Sequence, residues 1–562
     1  MRYSLKGTVL FLLLISICSS NGCRTEKLEK YTKDLPFDMT QIVVPKFPSH
    51  TENIIDHGAV GDGQTLNTDA FSDAIRACAS AGGGRVCIPA GIWLTGPIRL
   101  QSNINLYLEK GALIQFSYCF EDYPLIRTSW EGLEQVRCIS PIYGAGLENV
   151  GITGQGIIDG AGEAWRPVKK FKTTERQWQE LLDSGGAVSG DGSVWWPSEQ
   201  AMNGAEIVRE LKNSGASDLQ EYAIAREYLR PVMINLNNCK NVLLDGPTFQ
   251  NSPAWNIHPL MCENMVIRNI TVLNPWYSQN GDGLDLESCR NVLVYDCQFD
   301  VGDDAICIKS GKNEYGRRRG KPSENIAIAD CIVYHGHGGF TVGSEMSGGV
   351  RNIDVRRCTF LGTDVGLRFK STRGRGGVVE NIYIRDIYMK DIPTEAIRFN
   401  MFYDNKAPIP EVDSEGHIVF SERLEVAVSE ETPRFRNIHI KNIYCREANQ
   451  AVLLLGLPEM AINNVELDSI FISANAGLVC VDADNITLRN LKIVPENGPV
   501  LSLLNSRNVL IQDVVLPEDC KPFMVVNGKK SAHIRLKGNI GAIRGELVAV
   551  GKEVSSDALI SD

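Results

Sequence analysis

The chain carries 16 cysteines in 562 residues yet has no C-x-x-C pair, which argues against a structural zinc site. It has no excess of basic residues. A net charge of −11 argues against general nucleic-acid binding and against long-range attraction of a polyanion, so an acidic ligand must be caught by a local basic patch. It has no polar low-complexity tract, and its composition, 43% hydrophobic and 22% charged, is that of a globular chain. It has no apolar segment long enough to span a bilayer. The run 9–17 is too short and follows Arg2 and Lys6, with the small residues Ser19, Ser20 and Gly22 behind it. This pattern reads as an export signal over 1–22. Cys23 is a candidate bacterial lipoprotein cysteine, with ordinary signal cleavage nearby as the alternative. The expected location is the periplasm or the cell envelope of a bacterium.

Export makes a disulfide framework one reading of the cysteines. Their positions favour another. Cys239, Cys262, Cys289 and Cys331 lie before or between short alternating segments, and Cys297, Cys358 and Cys445 end such segments, where cysteine serves as a small buried hydrophobe. Stacked free thiols are expected.

What the chain has in quantity is glycine, 52 residues, and a repeated asparagine. Asn followed by Val, Ile or Met and an alternating strand recurs at positions 103, 149, 241, 264, 291, 325, 352, 381, 437, 464, 485 and 508. Most neighbours after 241 are one solenoid coil apart. Such coils cannot bury their apolar faces alone, and stacking supplies a continuous interior. The fold class is all-β: a single-stranded right-handed parallel β-helix, because parallel crossovers are right-handed in nearly all cases. The repeated Asn is expected at a turn, bonded to its neighbours above and below. Residues 68–80 place Ala70, Phe71, Ala74, Ile75 and Cys78 on one helical face, a cap for the open end of the solenoid. The expected organisation is a tether over 23–50, a catalytic β-helix over 51–545 and a tail over 546–562. Two excursions interrupt the coil: a partly helical lobe at 161–230 and a loop at 401–434.

The stretch 280–370 contains four copies of one pattern: NGDGLDLES, GDDAICIKS, HGHGGFTVGS and VGLRFKS. Stacked in parallel, equivalent residues lie about 4.8 Å apart. Asp282 then neighbours Asp304, Asp303 lies under His337, and Arg368, Lys370 and Lys309 share the same solvent-facing columns. Stacked carboxylates repel, and the fold gains nothing from them unless a proton, a cation or a reacting water intervenes. Two carboxyl groups flanking a scissile bond are what glycoside hydrolysis requires. Asp303, between Asp304 and His337, is the expected acid, with a pKa raised by like charge. Asp282 and Asp304 are expected to activate water, with acid and base about 6.5–9.5 Å apart as inversion demands.

The set Asn280-Gly281-Asp282, Gly302-Asp303-Asp304, Gly336-His337-Gly338 and Arg368-Phe369-Lys370 resembles the four motifs of the family 28 polygalacturonases, and the resemblance runs from about residue 54 to about 515. Gly281 and Phe369 depart from the usual Thr and Ile. The resemblance implies an α-1,4-galacturonan substrate, inverting hydrolysis and no cofactor or metal. It also implies Asp303 as general acid, Asp282 and Asp304 as water activators, His337 as support of the acid, and Arg368 and Lys370 as ligands of sugar carboxylates. Asn280, Lys309, Trp255 and His258 are further candidate substrate contacts. Rhamnogalacturonan-acting hydrolases, a calcium-dependent pectate lyase and a non-catalytic glycan-binding β-helix are the alternatives. The lobe at 161–230, with Trp178, Trp195 and Trp196, and the basic loop 312–321 are expected to wall off one end of the groove. That predicts an exo-acting enzyme releasing galacturonate, with endo action as the alternative.

Overall fold

The computed structural model describes residues 28–403, 411–412, 418–419, 424–516, 522–538 and 547–561. The export segment 1–22, Cys23 and parts of 401–434 lie outside these. Parallel strands stack from Thr51–Asn53 to Leu559–Ser561 in one continuous sheet, a right-handed parallel β-helix. Its interior is a single apolar column of Ile, Val, Leu and Phe from successive coils. Helix α1 (Thr68–Ser80) buries Ala70, Phe71, Ala74, Ile75 and Cys78 at the N-terminal end, the face read from the sequence. No helix among the described residues is long and apolar enough to cross a membrane.

The asparagine ladder forms. Asn149, 241, 264, 291, 325, 352, 381, 437, 464 and 485 each donate from Nδ2 to Oδ1 of the preceding Asn, at 2.9–3.4 Å, starting on Asn103. Every one has a positive φ of 52–62°, a conformation Asn tolerates better than other side chains with a Cβ. Asn508 leaves the ladder and bonds Asp484 instead. The 13 cysteines among the described residues are all free, and most are buried. Cys262 donates to Leu236 O and Cys289 to Pro259 O, so the thiols bond strand carbonyls of the coil below.

Two expected boundaries move. Residues 28–47 are not a free tether: Tyr31 and Ile42 are buried on the outer face of the coil against Leu243, Val266, Leu293 and Tyr295, and Tyr31 donates to Asp330 at 2.9 Å. The apolar outward residues of those coils need a cover, and the arm supplies it. At the other end the strands Val548–Val550 and Leu559–Ser561 still pair in parallel, so the segment expected as a tail continues the coil.

The lobe holds helices α2 (Glu175–Asp183) and α3 (Glu199–Asn213), each started by a side-chain cap from Thr174 or Ser198. It packs on an antiparallel hairpin, Leu125–Trp130 with Leu133–Cys138, through Tyr123, Leu125, Val136, Trp165, Val208 and Tyr222. Trp178 and Trp195 are consumed inside the lobe with Val168, so of the three tryptophans expected as walls only Trp196 lines an open cavity.

Candidate active site

Four strands carry the site: β1 (Leu284–Glu287), β2 (Asp304–Lys309), β3 (Gly338–Val342) and β4 (Val365–Lys370). Their register is the one the repeated pattern predicts, with Leu284 beside Ile306, Ile306 beside Phe340 and Phe340 beside Leu367. Asp282 precedes β1 and Asp303 precedes β2, and His337 N donates to Asp303 O at 2.9 Å, so the histidine sits directly on the aspartate. A Cβ at Gly338 would collide with the Thr341 hydroxyl and lie 3.0 Å from Asp304 Oδ1, which is why the strand above the carboxylate begins with glycine. Gly281 has a similar reason: a Cβ there would collide with the Ser278 hydroxyl.

One oxygen from each of Asp282, Asp303 and Asp304 lies within 4.8 Å of the other two. This nearest approach is tighter than the spacing expected for separated acid and base. The three differ in surroundings. Asp304 is buried and accepts from Arg368 Nη1 at 2.9 Å and from Lys370 Nζ at 2.7 Å. Burial pushes its pKa up, but Lys370, Arg368 and Lys309 outweigh burial and hold it well below the carboxylate range. Burial also opposes ionisation of Asp303, and the hydrogen bond from His337, with Nδ1 3.2 Å away, brings it below its ordinary value. Asp282 has no such partner; its Oδ1 accepts no hydrogen bond. Burial first, then Asp303 and Asp285, raise its pKa well above the ordinary value. Of the three, Asp282 is therefore the carboxyl whose surroundings most favour the protonated form. The expected elevation of Asp303 is overturned, because His337 contributes more to that carboxylate than Asp304 takes away.

The columns read as solvent-facing are covered. Asp285, Glu287, Cys307 and Thr341 are fully buried. Lys309 is buried too, with Nζ 3.1 Å from Glu345, 3.5 Å from Asp285 and 4.6 Å above the Trp255 ring. Burial drives the Asp285 carboxyl up to about 8, Lys309 offsetting only part of it. His258 does not face a ligand: it is wholly buried, with Nε2 2.8 Å from Glu287 and Trp255 packed edge-on. Arg398, in the column of Arg368, is paired with Glu395.

A cavity of about 200 Å³ exposes Asp282, Asp303, Asn280, Trp255, Lys309 and Lys370 together with Glu131, Lys312, Glu345 and Tyr403. Sequence reading missed Glu131, which comes from the hairpin turn. The signal was present: the Asn103 to Asn149 interval of 46 residues is too long for one coil. It also missed Lys172 of the lobe. Its Nζ lies 3.2 Å from His337 Nε2 and 3.3 Å from Gly302 O. An ammonium at Nε2 leaves the proton on Nδ1, so His337 donates towards Asp303. Asp364 Oδ2, 3.6 Å from the same Nε2, completes its surroundings. Burial lowers the Lys172 pKa, and Asp303 opposes the shift. Lys172 shows that the lobe reaches the site.

Among the described residues, the trio is also the one place where three possible metal ligands converge. The donor set does not suit a hard cation. Both Asp304 oxygens are engaged by Arg368 and Lys370, and Lys309 is close by, whereas calcium takes six to eight oxygens.

A β-helix presenting paired carboxylates beside fixed cations has the groups that hydrolysis of an acidic glycan requires. The model of glycosyl hydrolases family 28 matches residues 174–418. An exopolygalacturonase from Thermotoga maritima is 31% identical in sequence, with a TM-score of 0.66 over 84% of this chain and 96% of that one. The chain belongs to glycosyl hydrolases family 28. Among curated relatives, a probable polygalacturonase of Vitis vinifera is 32% identical over 351 residues, 61% of each chain, so the match spans less than two thirds of that relative. The exo-poly-alpha-D-galacturonosidase of Dickeya chrysanthemi is 27% identical over 471 residues, 81% of this chain and 72% of that enzyme.

Proposed function

We propose that this hydrolase is exported and cleaves α-1,4-galacturonosidic bonds of pectic chains from one end, with inversion at the anomeric carbon. The observation that carries the reading is a cavity lined by Asp282 and Asp303 beside Lys370 and Lys309, with Asp304 converging on the two carboxylates and bonded to Arg368. The relatives named for galacturonan, two of them exo-acting, support the substrate class and the mode.

In the proposed cycle the sugar carboxylate binds among Lys370, Arg368 and Lys309. Asp303, the most accessible of the trio, faces the glycosidic oxygen. As bound sugar displaces water there, its carboxylate loses solvation and takes the proton held by Asp282. Asp303 gives that proton to the leaving oxygen as the C–O bond breaks. Asp282, now ionised, and Asp304 receive the proton of the water that attacks C1 from the opposite face. His337, held as the Nδ1–H tautomer by Lys172, fixes the Asp303 carboxyl. Inversion rests on the family, since the nearest-oxygen spacing does not assign it.

The hairpin turn lines the cavity through Glu131, Arg230 bonds Asn280 of its wall, and the lobe reaches His337 beside the aspartates through Lys172, which supports attack at a chain end. Incubation with polygalacturonate tests both claims. Reducing ends should accumulate while viscosity falls slowly, and Asp303→Asn should lower turnover by about 10²–10⁴-fold. An early collapse in viscosity refutes the exo mode, and near-normal Asp303→Asn turnover refutes the assignment of the acid. Export is checked separately: an unprocessed N-terminus on enzyme recovered from the cell envelope would count against a cleaved signal at 1–22.

A further inference from the structure

One carboxyl close to the catalytic cavity has no part in the proposed cycle. Asp285 stands on β1, shortly after Asp282, and its side chain is fully buried. Neither of its oxygens has a hydrogen-bond partner. Lys309 Nζ is 3.5 Å from its Oδ1, and the same ammonium is 3.1 Å from Glu345 Oε2. Lys309 and Glu345 line the cavity and Asp285 does not, so Asp285 can touch a sugar only through the lysine. Two acids share one cation, and that cation is among those that face the substrate.

Apart from Lys309, the charged groups around Asp285 oppose its ionisation. Asp304 and Asp303 come from the next coil, Glu345 from the loop after β3, and Asp282 from its own coil. Cys307, its neighbour in register, stays a thiol, because burial raises its pKa well above the ordinary value. His258, from the coil before, is paired with Glu287, which Arg319 also holds. A buried carboxylate without a donor loses its hydration and regains nothing for it. With burial holding its pKa at about 8, Asp285 is neutral one unit below that value and ionised one unit above it. Burial lowers the Lys309 pKa, but Cys307, Glu345 and Asp285 outweigh burial, so the lysine stays charged throughout.

The charge that Lys309 can offer a ligand therefore depends on Asp285. Beside a neutral Asp285 the ammonium is balanced by Glu345 alone and attracts a further anion through the rest of the cationic set. Beside an ionised Asp285 two carboxylates already outweigh it, and an arriving third is repelled. We propose that Asp285 is a positioning residue acting through Lys309: its neutral form leaves the ammonium to the sugar carboxylate, its ionised form withholds it, and binding of an acidic sugar draws a proton from solvent onto Asp285. This rests on the galacturonan-hydrolase reading.

The test uses the full chain. The KM for trigalacturonate should rise about tenfold from pH 7 to pH 9 in the wild type and less than about twofold in Asp285→Asn, which keeps the shape and removes the titration. Lys309→Met should also abolish the rise, and it serves if Asp285→Asn fails to fold. Calorimetry with galacturonate, which has no bond to cleave, counts protons directly. In paired buffers of different ionisation enthalpy at pH 8, the wild type should take up about half a proton more than Asp285→Asn. A wild-type KM that stays flat, a rise that survives either substitution, or equal proton uptake overturns the role of Asp285 while leaving the substrate reading intact. If the wild type cleaves no galacturonan at any of these pH values, the substrate reading fails first, and the role of Asp285 fails with it.

Discussion

Lys370 is the residue whose removal tests the electrostatics of the site most directly. Its Nζ is 2.7 Å from Asp304 Oδ2, Arg368 holds the other oxygen, and the Asp304 side chain is 1% exposed. Lys370→Met keeps the length of the side chain and deletes the charge. Breaking one partner of a buried pair costs about 3–5 kcal/mol. At 1.36 kcal/mol per unit, that cost raises the Asp304 pKa by about two to four units if it falls wholly on the ionised form. Asp304 must be ionised to draw a proton from water, so a new acid limb should enter the kcat–pH profile, and activity should fall on acidification where the wild type does not. Saturating oligogalacturonide removes the accompanying loss of binding. Stability has a defined sign. Asp304 has a depressed folded pKa, so its contribution is complete above the unfolded value of about 3.9 and is lost as pH falls through the folded value. The variant should therefore be least stable relative to wild type at neutral pH, and the deficit should shrink in acid. A kcat–pH profile of unchanged shape and uniformly lower height would refute the counter-ion argument, as would a stability deficit independent of pH.

Lys172→Met should lower kcat about tenfold or more with little change in KM, and Lys172→Arg should recover part of the loss; unchanged kcat in the Met variant would show that the contact with His337 is idle. Asn352→Ala loses its bonds to Asn325 and from Asn381 and puts alanine at a φ of 58°, so denaturant unfolding should show a loss of about 2–4 kcal/mol. Asn352→Gly should recover only the backbone share; full recovery by glycine would mean that the ladder bonds contribute nothing.

The coil was legible because it repeats. An Asn at each turn and apolar residues at alternate positions determine register, and register brings Asp282, Asp303, Asp304 and His337 together. Burial of the second column was not legible. Asp285, Glu287 and Lys309 read as an open strand face, and loops distant in sequence cover them: Arg319 reaches Glu287 at 2.6 Å and Glu345 reaches Lys309. His258 illustrates the same limit. One coil before Asp282 it looks like a substrate contact, but its column is closed by Trp255 and Glu287. Lys172, Glu131 and Arg230 belong to segments without a repeat. Only contacts across the fold place them, such as the 165 residues between Lys172 and His337.

The same division between coil and excursion accounts for the direction in which a proton moves. The coils that follow the trio carry its partners: the cations Arg368 and Lys370 on Asp304, and the His337 N–H on Asp303. The coil before Asp282 offers it none; Trp255 and buried Ser278 lie there, and the Arg230 guanidinium is committed to Asn280 and backbone oxygens. Negative charge is therefore stabilised towards the C-terminal coils and the proton towards the N-terminal one, and the pKa values of Asp282 and Asp304 diverge although their positions in the repeat are equivalent. A set of three identical side chains becomes a donor, a reservoir and a resting anion only through what the neighbouring coils place beside each. Asp303 stands between the extremes, and its balance depends on His337, whose tautomer is fixed by a lysine from outside the coil. The stacked strands thus supply the carboxylates, and the inserted lobe supplies part of the control over which of them holds the proton.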